Sequence, residues 1–409
     1  MNVEIITIGD ELLIGQVTDT NSAWMGQILT KNGFEVSKKV TIPDVESIIS
    51  KTIKDSLNNV DILLITGGLG PTNDDVTKKT LCDYFKCSLV FNDEVFEDLK
   101  SFLNSEDQDI NALNRDQALV PDNCTIFRNR VGTAPTMLFK QNNKVVISMP
   151  GVPYEMKKIM EDNVIPWLRA NYYTTEIVNK TLIVSGIPES DLSISLKDIE
   201  SSLPAYIKLA YLPSPTSVRL RLTGKGESLE NMEDSINLIS SKIKKIIGKA
   251  LWSKNDEPPE IMLGKKLTKS GETISCAESC TGGNIAHKLT KHSGSSAFFQ
   301  GGVVAYHNHI KEDVLGVKHE DLERYGAVSK SVVEQMALGV KKLMNTDWAV
   351  ATSGVAGPTG GSDEKPVGTV WIAWAGPDGV ESRRFQFGKN RDINIISATE
   401  TALVGFLTL

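Results

Sequence analysis

The chain has 409 residues, 40% of them hydrophobic and 23% charged, which is enough for two or three domains that each bury a core. Lysine and arginine number 44 against 51 acidic residues, and a net charge of −7 does not suit a general binder of nucleic acids or anionic membranes. Five cysteines without a CxxC pair fit neither a disulfide framework nor a cysteine-rich zinc site. No apolar run reaches the length of a membrane span and no secretory leader is visible, so we expect a cytoplasmic protein.

Changes in composition divide the chain into three segments. The stretch SKNDEPPE (253–260) is polar and contains a Pro-Pro pair, which continues neither a helix nor a strand ladder. A weaker break lies near residues 171–175, after an apolar helix end. We therefore expect domains over 1–170, 171–252 and 261–409, with a linker over 253–260.

The first segment alternates short apolar strands with amphipathic helices. Residues 4–9, 61–70 and 144–151 have the pattern of buried strands that end in glycine, whereas 21–31 and 45–57 have helical spacing. This alternation is typical of a largely parallel α/β sheet. Ligands of such sheets bind at the carboxyl ends of the strands.

The middle segment is predicted to be a small α+β module. Its order of strand (181–184), helix (189–200), a further strand, strand (217–224) and helix (229–247) is KH-like. The segment has no GxxG loop flanked by helices and no aromatic platform, so RNA binding is not favoured.

The third segment is again predicted to be α/β. Helical spacing and strand-like runs alternate along it. We expect strands at 273–277, 301–306, 348–352, 369–375 and 382–387, and helices at 260–269, 282–291, 330–344 and 393–407.

Three loops at strand ends of the first segment carry unusual sequences. They are GDELLIG (9–15), TGGLGPTNDD (66–75) and MPGVPYEM (149–156). In the second loop, glycines allow close backbone approach, and Thr72 or Asn73 can cap a helix that we expect to open at Asp74. Amides at such a helix start bind phosphate, so the candidate anion-binding residues are Gly67, Gly68, Gly70 and Thr72.

The same three loops also supply carboxylates. If the loops meet at one sheet edge, these side chains suit a divalent cation that bridges a diphosphate. The candidate ligands are Asp10, Glu11, Asp74, Asp75 and Glu155. A tight strand-to-helix turn with ordinary helix-dipole partners explains the same residues, and both interpretations stay open. Because GxGxxG and GxxxxGK[ST] are both missing from the sequence, a dinucleotide fold or a P-loop is not indicated.

The third segment contains a possible nucleophile in SCAESCTGG (275–283). We expect a strand to end near Ala277 and a helix to begin at residues 281–283, which places Ser279 and Cys280 at a strand-to-helix corner. The helix dipole and free amides at this corner favour a nucleophile and an oxyanion. The flanking residues do not form GxSxG, so an α/β-hydrolase fold is not indicated.

A reactive serine needs a base. The chain has five histidines, and the pair His307 and His309 lacks a clear third metal ligand. Lys311 is the other option, since a lysine desolvated in a pocket can lose its proton. Taken alone, however, Lys311 has the character of an ordinary surface lysine.

The loop motifs of the first segment, together with NRDQALVP (114–121) and GTAP (132–135), resemble those of the CinA family. The resemblance implies a three-layer, molybdopterin-binding-like domain at the front of the chain. It also implies ADP-ribose pyrophosphatase activity that yields AMP and ribose 5-phosphate and requires a divalent metal such as Mg, Co or Mn.

The resemblance continues through the third segment. Its motifs are AESCTGG (277–283), the run 294–311, YGAVS (325–329), TSGVAGPTGG (352–361) and KPVGTVWIA (365–373). They resemble the C-terminal CinA domain, a nicotinamide mononucleotide (NMN) deamidase that needs no cofactor. The resemblance implies that Ser279 is the nucleophile and Lys311 its base. It also implies that Tyr306 orients this pair or lines the pocket for the nicotinamide ring. Ser353 would complete the hydrogen-bond network, and Arg391 would bind the substrate phosphate. Substrate contacts are expected from Thr281, Gly282, Gly283 and Gly354.

Two hypotheses follow. The first is a bifunctional pyridine-nucleotide recycling enzyme whose partners are NMN, ADP-ribose and a second copy in a homodimer, without a membrane or nucleic-acid partner. The alternative is a non-catalytic, oligomeric protein that binds a nucleotide or a pterin. The retained serine, lysine and arginine favour catalysis in the third segment.

Overall fold

The computed structural model describes residues 1–72, 74–103, 110–172, 175–253 and 255–408. The backbone forms two compact units, Met1–Val178 with Lys225–Asn231, and Asn179–Gly224 with Met232–Leu409. None of the helices in these described ranges is long and apolar enough to cross a membrane.

The first unit is built on a six-stranded sheet in the order β2-β1-β3-β8-β7-β6. Its first four strands are parallel, and β7 and β6 are antiparallel. The strands of this unit are β1 (Asn2–Ile8), β2 (Glu35–Ile42), β3 (Ile62–Thr66), β4 (Leu89–Phe91), β5 (Leu119–Pro121), β6 (Thr125–Phe127), β7 (Thr136–Gln141) and β8 (Lys144–Met149).

Helices cover both faces of this sheet. They are α1 (Asp10–Leu13), α2 (Thr20–Lys31), α3 (Glu46–Leu57), α4 (Thr77–Phe85), α5 (Asp93–Leu103), α6 (Ala112–Arg115), α7 (Pro153–Ile159) and α8 (Ile165–Asn171). Ile5 and Ile6 of β1 are both fully buried, because α2, α7 and α8 pack on one face and α3 and α4 on the other. The predicted three-layer α/β fold is therefore confirmed.

The middle module has a four-stranded sheet in the order β10-β11-β9-β12. Its elements are β9 (Ile177–Ser185), α9 (Glu189–Ser201), β10 (Ile207–Pro213), β11 (Ser217–Lys225), α10 (Leu229–Ile247) and β12 (Leu251–Ser253). Along β11, Val218 and Leu220 are buried whereas Arg219 and Arg221 are exposed, as the alternating pattern predicts.

The C-terminal domain contains a five-stranded sheet in the order β14-β13-β15-β16-β17. The strands β14, β13 and β15 are parallel, and β16 and β17 continue the sheet antiparallel. The strands are β13 (Ile274–Glu278), β14 (Phe299–Val304), β15 (Trp348–Gly354), β16 (Thr369–Gly376) and β17 (Gly379–Gln386).

Helices also cover both faces of this second sheet. They are α11 (Pro259–Ser270), α12 (Asn284–Thr290), α13 (Asn308–Asp313), α14 (His319–Tyr325), α15 (Lys330–Met344) and α16 (Arg391–Thr408). Helix α15 packs a buried stripe on one face, and α11, α12 and α16 pack on the other.

Three local expectations were wrong. The helix expected to open at Asp74 begins at Thr77, the helix expected from residue 282 begins at Asn284, and the strand expected to end at residue 306 ends at Val304. In addition, part of the loop GDELLIG folds as the short helix α1. All four differences lie at the carboxyl ends of strands, where backbone groups form hydrogen bonds with side chains.

Candidate active sites

Ser279 lies where the carboxyl ends of β13, β14 and β15 meet. Its backbone N–H donates to the Thr352 carbonyl of β15 at 3.0 Å, and the Ala305 N–H, just beyond β14, donates to the Glu278 carbonyl at 2.8 Å. The Ser279 residue is half-buried. Two neighbouring strands therefore fix the backbone of the predicted nucleophile, which remains reachable from solvent.

The carboxylate of Glu278 holds the turn that carries Ser279. It is 1% exposed and accepts N–H groups from Gly283 at 3.0 Å, Ile285 at 3.0 Å and Ala286 at 2.9 Å. These are the first amides of α12, whose N-terminus has no side-chain cap of its own. A carboxylate from the end of β13 thus replaces the usual cap.

This contact changes the predicted oxyanion site. We expected free amides over residues 280–283, but the Gly283 N–H binds Glu278 and the Gly282 N–H donates to the Ser279 carbonyl. In the described part of the chain, the N–H groups of Cys280 and Thr281 have no backbone acceptor. They are the donors that remain for an oxyanion.

Lys311 is not a surface lysine. Only 1% of it is exposed, and its Nζ donates to the carbonyls of Ala305 at 2.8 Å and Tyr306 at 3.3 Å. Burial lowers the pKa of this ammonium, and the neighbouring Cys280 thiol opposes the shift. The Ala305 carbonyl belongs to the segment beside the serine turn, because the Ala305 N–H binds the carbonyl of Glu278, the residue before Ser279.

Cys280 has the opposite character. Its side chain is buried in the apolar cluster beneath α12, and burial raises the pKa of the thiol to about 12. A thiol with that pKa carries almost no thiolate near neutral pH. Of the two adjacent candidates, Ser279 is the more accessible, since it is half-buried whereas Cys280 is 6% exposed.

Tyr306 and Arg391 form a pair at the rim of the site. The Arg391 guanidinium donates from Nη2 to the Tyr306 hydroxyl at 3.1 Å and from Nη1 to the Gly357 carbonyl at 2.8 Å. Tyr306 is 61% exposed, and its hydroxyl contacts Arg391 rather than the Ser279 hydroxyl. The structure therefore brings the predicted phosphate clamp to Tyr306, whose carbonyl also accepts Lys311.

The remaining predicted residues of this site pack behind it. Ser353 is 1% exposed, and its hydroxyl donates to the Ala327 carbonyl at 2.7 Å. The hydroxyls of Thr281 and Thr352 are 2.8 Å apart. A Cβ at Gly354 would lie 2.8 Å from the Thr369 carbonyl, so this glycine permits close packing of β15 on β16. These contacts support the strand ends from beneath.

The two histidines of the HxH motif contact each other. Their Nδ1 atoms are 2.7 Å apart, and both rings are exposed. Within the described ranges, no group of three or more His, Cys, Asp or Glu side chains is arranged to hold a metal ion. This pair therefore offers no metal centre in the C-terminal domain.

In the first unit, the predicted glycine loop forms a crowded turn after β3. Gly67 has φ 111°, and a Cβ there would lie 2.1 Å from the Ile8 carbonyl oxygen. Gly68 has φ 65°, and a Cβ there would lie 2.2 Å from the Thr77 hydroxyl. A Cβ at Gly151 would come within 3.3 Å of the Gly67 Cα, so the loops after β1, β3 and β8 do meet at one sheet edge.

Thr72 does not cap a helix as we expected. Its backbone N–H donates to the Asp75 carboxylate at 3.0 Å, and its hydroxyl also binds that carboxylate. Helix α4 follows Val76 without a side-chain cap. Asn73, the other predicted cap, lies outside the described residues. A carboxylate thus occupies the Thr72 atoms that we expected to bind phosphate, and a Cβ at Gly70 would meet the same carboxylate.

The predicted carboxylates separate into one group and two outliers. Asp44, which the sequence analysis missed, accepts the Asp10 N–H at 3.1 Å. Burial raises the pKa of Asp44, and the charges of Asp10, Glu11 and Asp75 raise it further. The position of Asp44 just after β2 was the available signal, because β2 is parallel to β1 and ends at the same edge.

The outliers have other partners. Glu155 accepts the Asn129 side-chain amide at 2.6 Å, and burial raises the pKa of Glu155. Asp74 is fully exposed, and a hydrogen bond with Thr72 lowers the pKa of Asp74. As no three ligands in the described ranges converge, the five predicted carboxylates do not present a ready divalent-metal site.

Comparisons with known proteins cover the whole chain. Family profiles match residues 4–170 as a probable molybdopterin binding domain, 179–253 as a damage-inducible protein CinA KH domain, and 256–409 as a CinA C-terminal domain. These matches confirm the molybdopterin-binding-like, KH-like and CinA-type folds predicted from the sequence.

Full-length relatives match as well. A CinA-like protein of Cytophaga hutchinsonii is 45% identical over 96% of this chain and 94% of its own length. A CinA-like protein of Flavobacterium psychrophilum is 45% identical over 98% of this chain and 97% of its own length. A solved structure, a competence/damage inducible protein from Agrobacterium tumefaciens, is 39% identical over 37% of this chain and 94% of that chain, with a TM-score of 0.35.

Proposed function

Because this chain belongs to the CinA family, we propose that it is a bifunctional hydrolase of pyridine-nucleotide recycling. Its C-terminal domain would convert NMN to nicotinic acid mononucleotide and ammonia, and its first domain would cleave ADP-ribose. One observation carries the amidase proposal: the desolvated Lys311 amine binds the Ala305 carbonyl, and the Ala305 N–H binds the carbonyl of Glu278, the residue before the half-buried Ser279.

The reaction starts with proton transfer from the hydroxyl of Ser279 to the neutral amine of Lys311. The Ser279 Oγ attacks the carboxamide carbon of NMN, and the oxygen that gains negative charge accepts the N–H groups of Cys280 and Thr281. Lys311 then returns the proton to the nitrogen, the C–N bond breaks and ammonia leaves. Lys311 next takes a proton from water, the hydroxide attacks the acyl-serine, and Lys311 returns the proton to the Ser279 Oγ as the acyl–oxygen bond breaks and nicotinic acid mononucleotide leaves.

Lys311 suits this role because its lowered pKa increases the neutral fraction that can accept a proton. Its two carbonyl acceptors also fix the direction of the amine. Arg391 suits the phosphate of NMN, because the carbonyl and hydroxyl that hold the guanidinium leave further N–H donors for a charged oxygen. No metal or cofactor enters these steps.

An ammonia-release assay with NMN tests the amidase. We expect the purified chain to release ammonia, Ser279→Ala to lower kcat by about 1000-fold or more, and Cys280→Ala to keep most of the activity. Cys280→Ala is the matched control because it removes the neighbouring nucleophile from the same turn. Loss of activity in Cys280→Ala with retention in Ser279→Ala would assign the reaction to the thiol instead.

The ADP-ribose activity is supported by the first unit. The Gly67–Gly68 turn leaves no room for side chains at the sheet edge, and four carboxylates of Asp10, Glu11, Asp44 and Asp75 lie beside it. The requirement for a divalent cation comes from the family resemblance, since no group of three or more His, Cys, Asp or Glu side chains in the described ranges is arranged as a preformed metal site. Incubation with ADP-ribose and Mg²⁺, Co²⁺ or Mn²⁺, followed by chromatography for AMP and ribose 5-phosphate, tests it. Product formation without added cation in a chelated sample would contradict the cation requirement.

The alternative is a non-catalytic, oligomeric protein that binds a nucleotide or a pterin. The same two assays separate the hypotheses, because a binding protein gives neither ammonia nor AMP while it still retains NMN, ADP-ribose or a pterin in equilibrium dialysis. A sedimentation measurement of the same samples reports the expected homodimer.

A further inference from the structure

A large cavity opens in the second unit, between the middle module and the C-terminal domain. Its volume is about 880 Å³. The middle module contributes β12 and the loop between β10 and β11, and the C-terminal domain contributes β16, β17, α12 and α16. We call it the seam cavity. The candidate amidase residues Ser279, Lys311, Tyr306 and Arg391 do not line it, so it is a separate site.

One wall of the seam cavity is aromatic. Phe385 and Phe387 have parallel rings with centroids 5.9 Å apart, and Trp374 lies edge-on to Phe385 at 6.5 Å. Trp374 donates its indole N–H to the Ala402 carbonyl, so its remaining surface is apolar. Trp252 of the middle module also lines the cavity. A planar ring would find stacking partners here.

The rim of the seam cavity is cationic. Five basic side chains line it against three carboxylates, and three of the five have ion-pair partners. The other two, Lys249 and Lys291, are exposed and form no ion pair in the described part of the chain. They approach the cavity from the middle module and from the end of α12 respectively. A phosphate group would neutralise this pair.

A carboxylate inside the cavity has spare acceptor capacity. Glu260 lines it and is 4% exposed, with Nζ of Lys288 at 3.6 Å from one of its oxygens. Its other oxygen, Oε2, is buried without a hydrogen-bond partner among the described residues. Leaving such an acceptor unsatisfied is costly, and a ligand that donates N–H groups would remove that cost.

We propose that the seam cavity binds a mononucleotide. The base would stack on the aromatic wall and donate an amino group toward Glu260, while the phosphate would lie between Lys249 and Lys291. The lining of the cavity calls for a ligand with three parts: a planar ring, an N–H donor and an anionic group. This proposal does not depend on the amidase or ADP-ribose activities.

Photolabelling of the full-length chain with 8-azido-AMP tests the proposal. Labelled peptides are expected to map to β12, to β16 and β17, or to α16. Excess AMP should suppress this label, and the same concentration of inorganic phosphate should not, because phosphate lacks the ring. Labels confined to other parts of the chain, or suppression by phosphate alone, would overturn the proposal.

A charge-reversal pair completes the test. We expect Lys249→Glu with Lys291→Glu to lower labelling in the cavity by about tenfold. The matched control is Lys242→Glu with Lys245→Glu, which makes the same charge change on exposed positions of α10 outside the cavity. Equal loss in both double variants would show a general charge effect and reject the site. Thermal melts of both variants establish that each is folded.

Discussion

A single buried amine sets the expected pH dependence of the amidase. Lys311 must be neutral to accept the Ser279 proton, and burial lowers its pKa below the ordinary 10.5. We therefore expect kcat/KM for NMN to rise with pH through the pKa of Lys311 and to level off below pH 10.5. A rate that falls over the same range, measured as initial ammonia release, would contradict the role of Lys311 as base.

Glu278 is a positioning residue for the serine turn. Glu278→Gln replaces an oxygen by an amide donor, which cannot accept from all of Gly283, Ile285 and Ala286. We expect kcat for NMN to fall by about 100-fold while KM stays nearly constant, because a misplaced turn affects attack more than binding. Glu381→Gln, on exposed β17, is the control. A fall in the folded fraction of Glu278→Gln, measured by circular dichroism, that matches the fall in kcat would reduce Glu278 to a folding role.

At the scale of the elements, the sequence predicted the bounds of those helices and strands whose buried residues recur with a regular period. Helix α10 and helix α15 begin and end where their apolar spacing does, and β11 alternates as expected. The errors occurred where a side chain binds backbone: Glu278 holds the first amides of α12, and Asp75 holds Thr72 before α4. Hydrophobic periodicity does not predict such contacts, because they depend on which side chain can accept a backbone N–H group.

Some residues of the candidate sites were also predicted from the sequence, and others were missed. Ser279, Lys311 and Arg391 were named through the family resemblance, but the burial of Lys311 follows from the packing of α13 and was not visible in its neighbours along the chain. Asp44 was missed because the expected carboxylates were taken from three loops, and the fourth loop, after β2, joins them only in the folded sheet.

The turn after β3 gives a prediction for the first unit. Gly67→Ala would place a Cβ against the Ile8 carbonyl and force a methyl side chain into φ 111°. We expect a loss of about 2 kcal/mol or more in unfolding free energy, measured by urea denaturation. Gly15→Ala is the control, because Gly15 has positive φ but no atom within 4 Å of its Cβ position. Similar losses in both variants would show that φ alone accounts for the cost.

At the scale of the whole molecule, the two proposed activities reside in different compact units and should be separable. A chelator is expected to abolish AMP formation from ADP-ribose and to leave ammonia release from NMN unchanged. Ser279→Ala should give the reverse pattern. Assays of both products on the same samples check this, and a chelator that stopped ammonia release would place a metal requirement in the C-terminal domain.

Helix α16 joins two places that are far apart on the surface. Its first residue, Arg391, contacts Tyr306, whereas Glu400 and Val404 line the seam cavity. At a rise of about 1.5 Å per residue, Arg391 is about 14 Å from Glu400 and about 20 Å from Val404 along the helix. A small tilt of α16 at the cavity would displace Arg391 at the other end of the helix. Occupancy of the cavity would therefore change the affinity of Arg391 for the phosphate of NMN. The readout is KM for NMN with and without AMP, and the signature of such communication is a shift in KM at constant kcat.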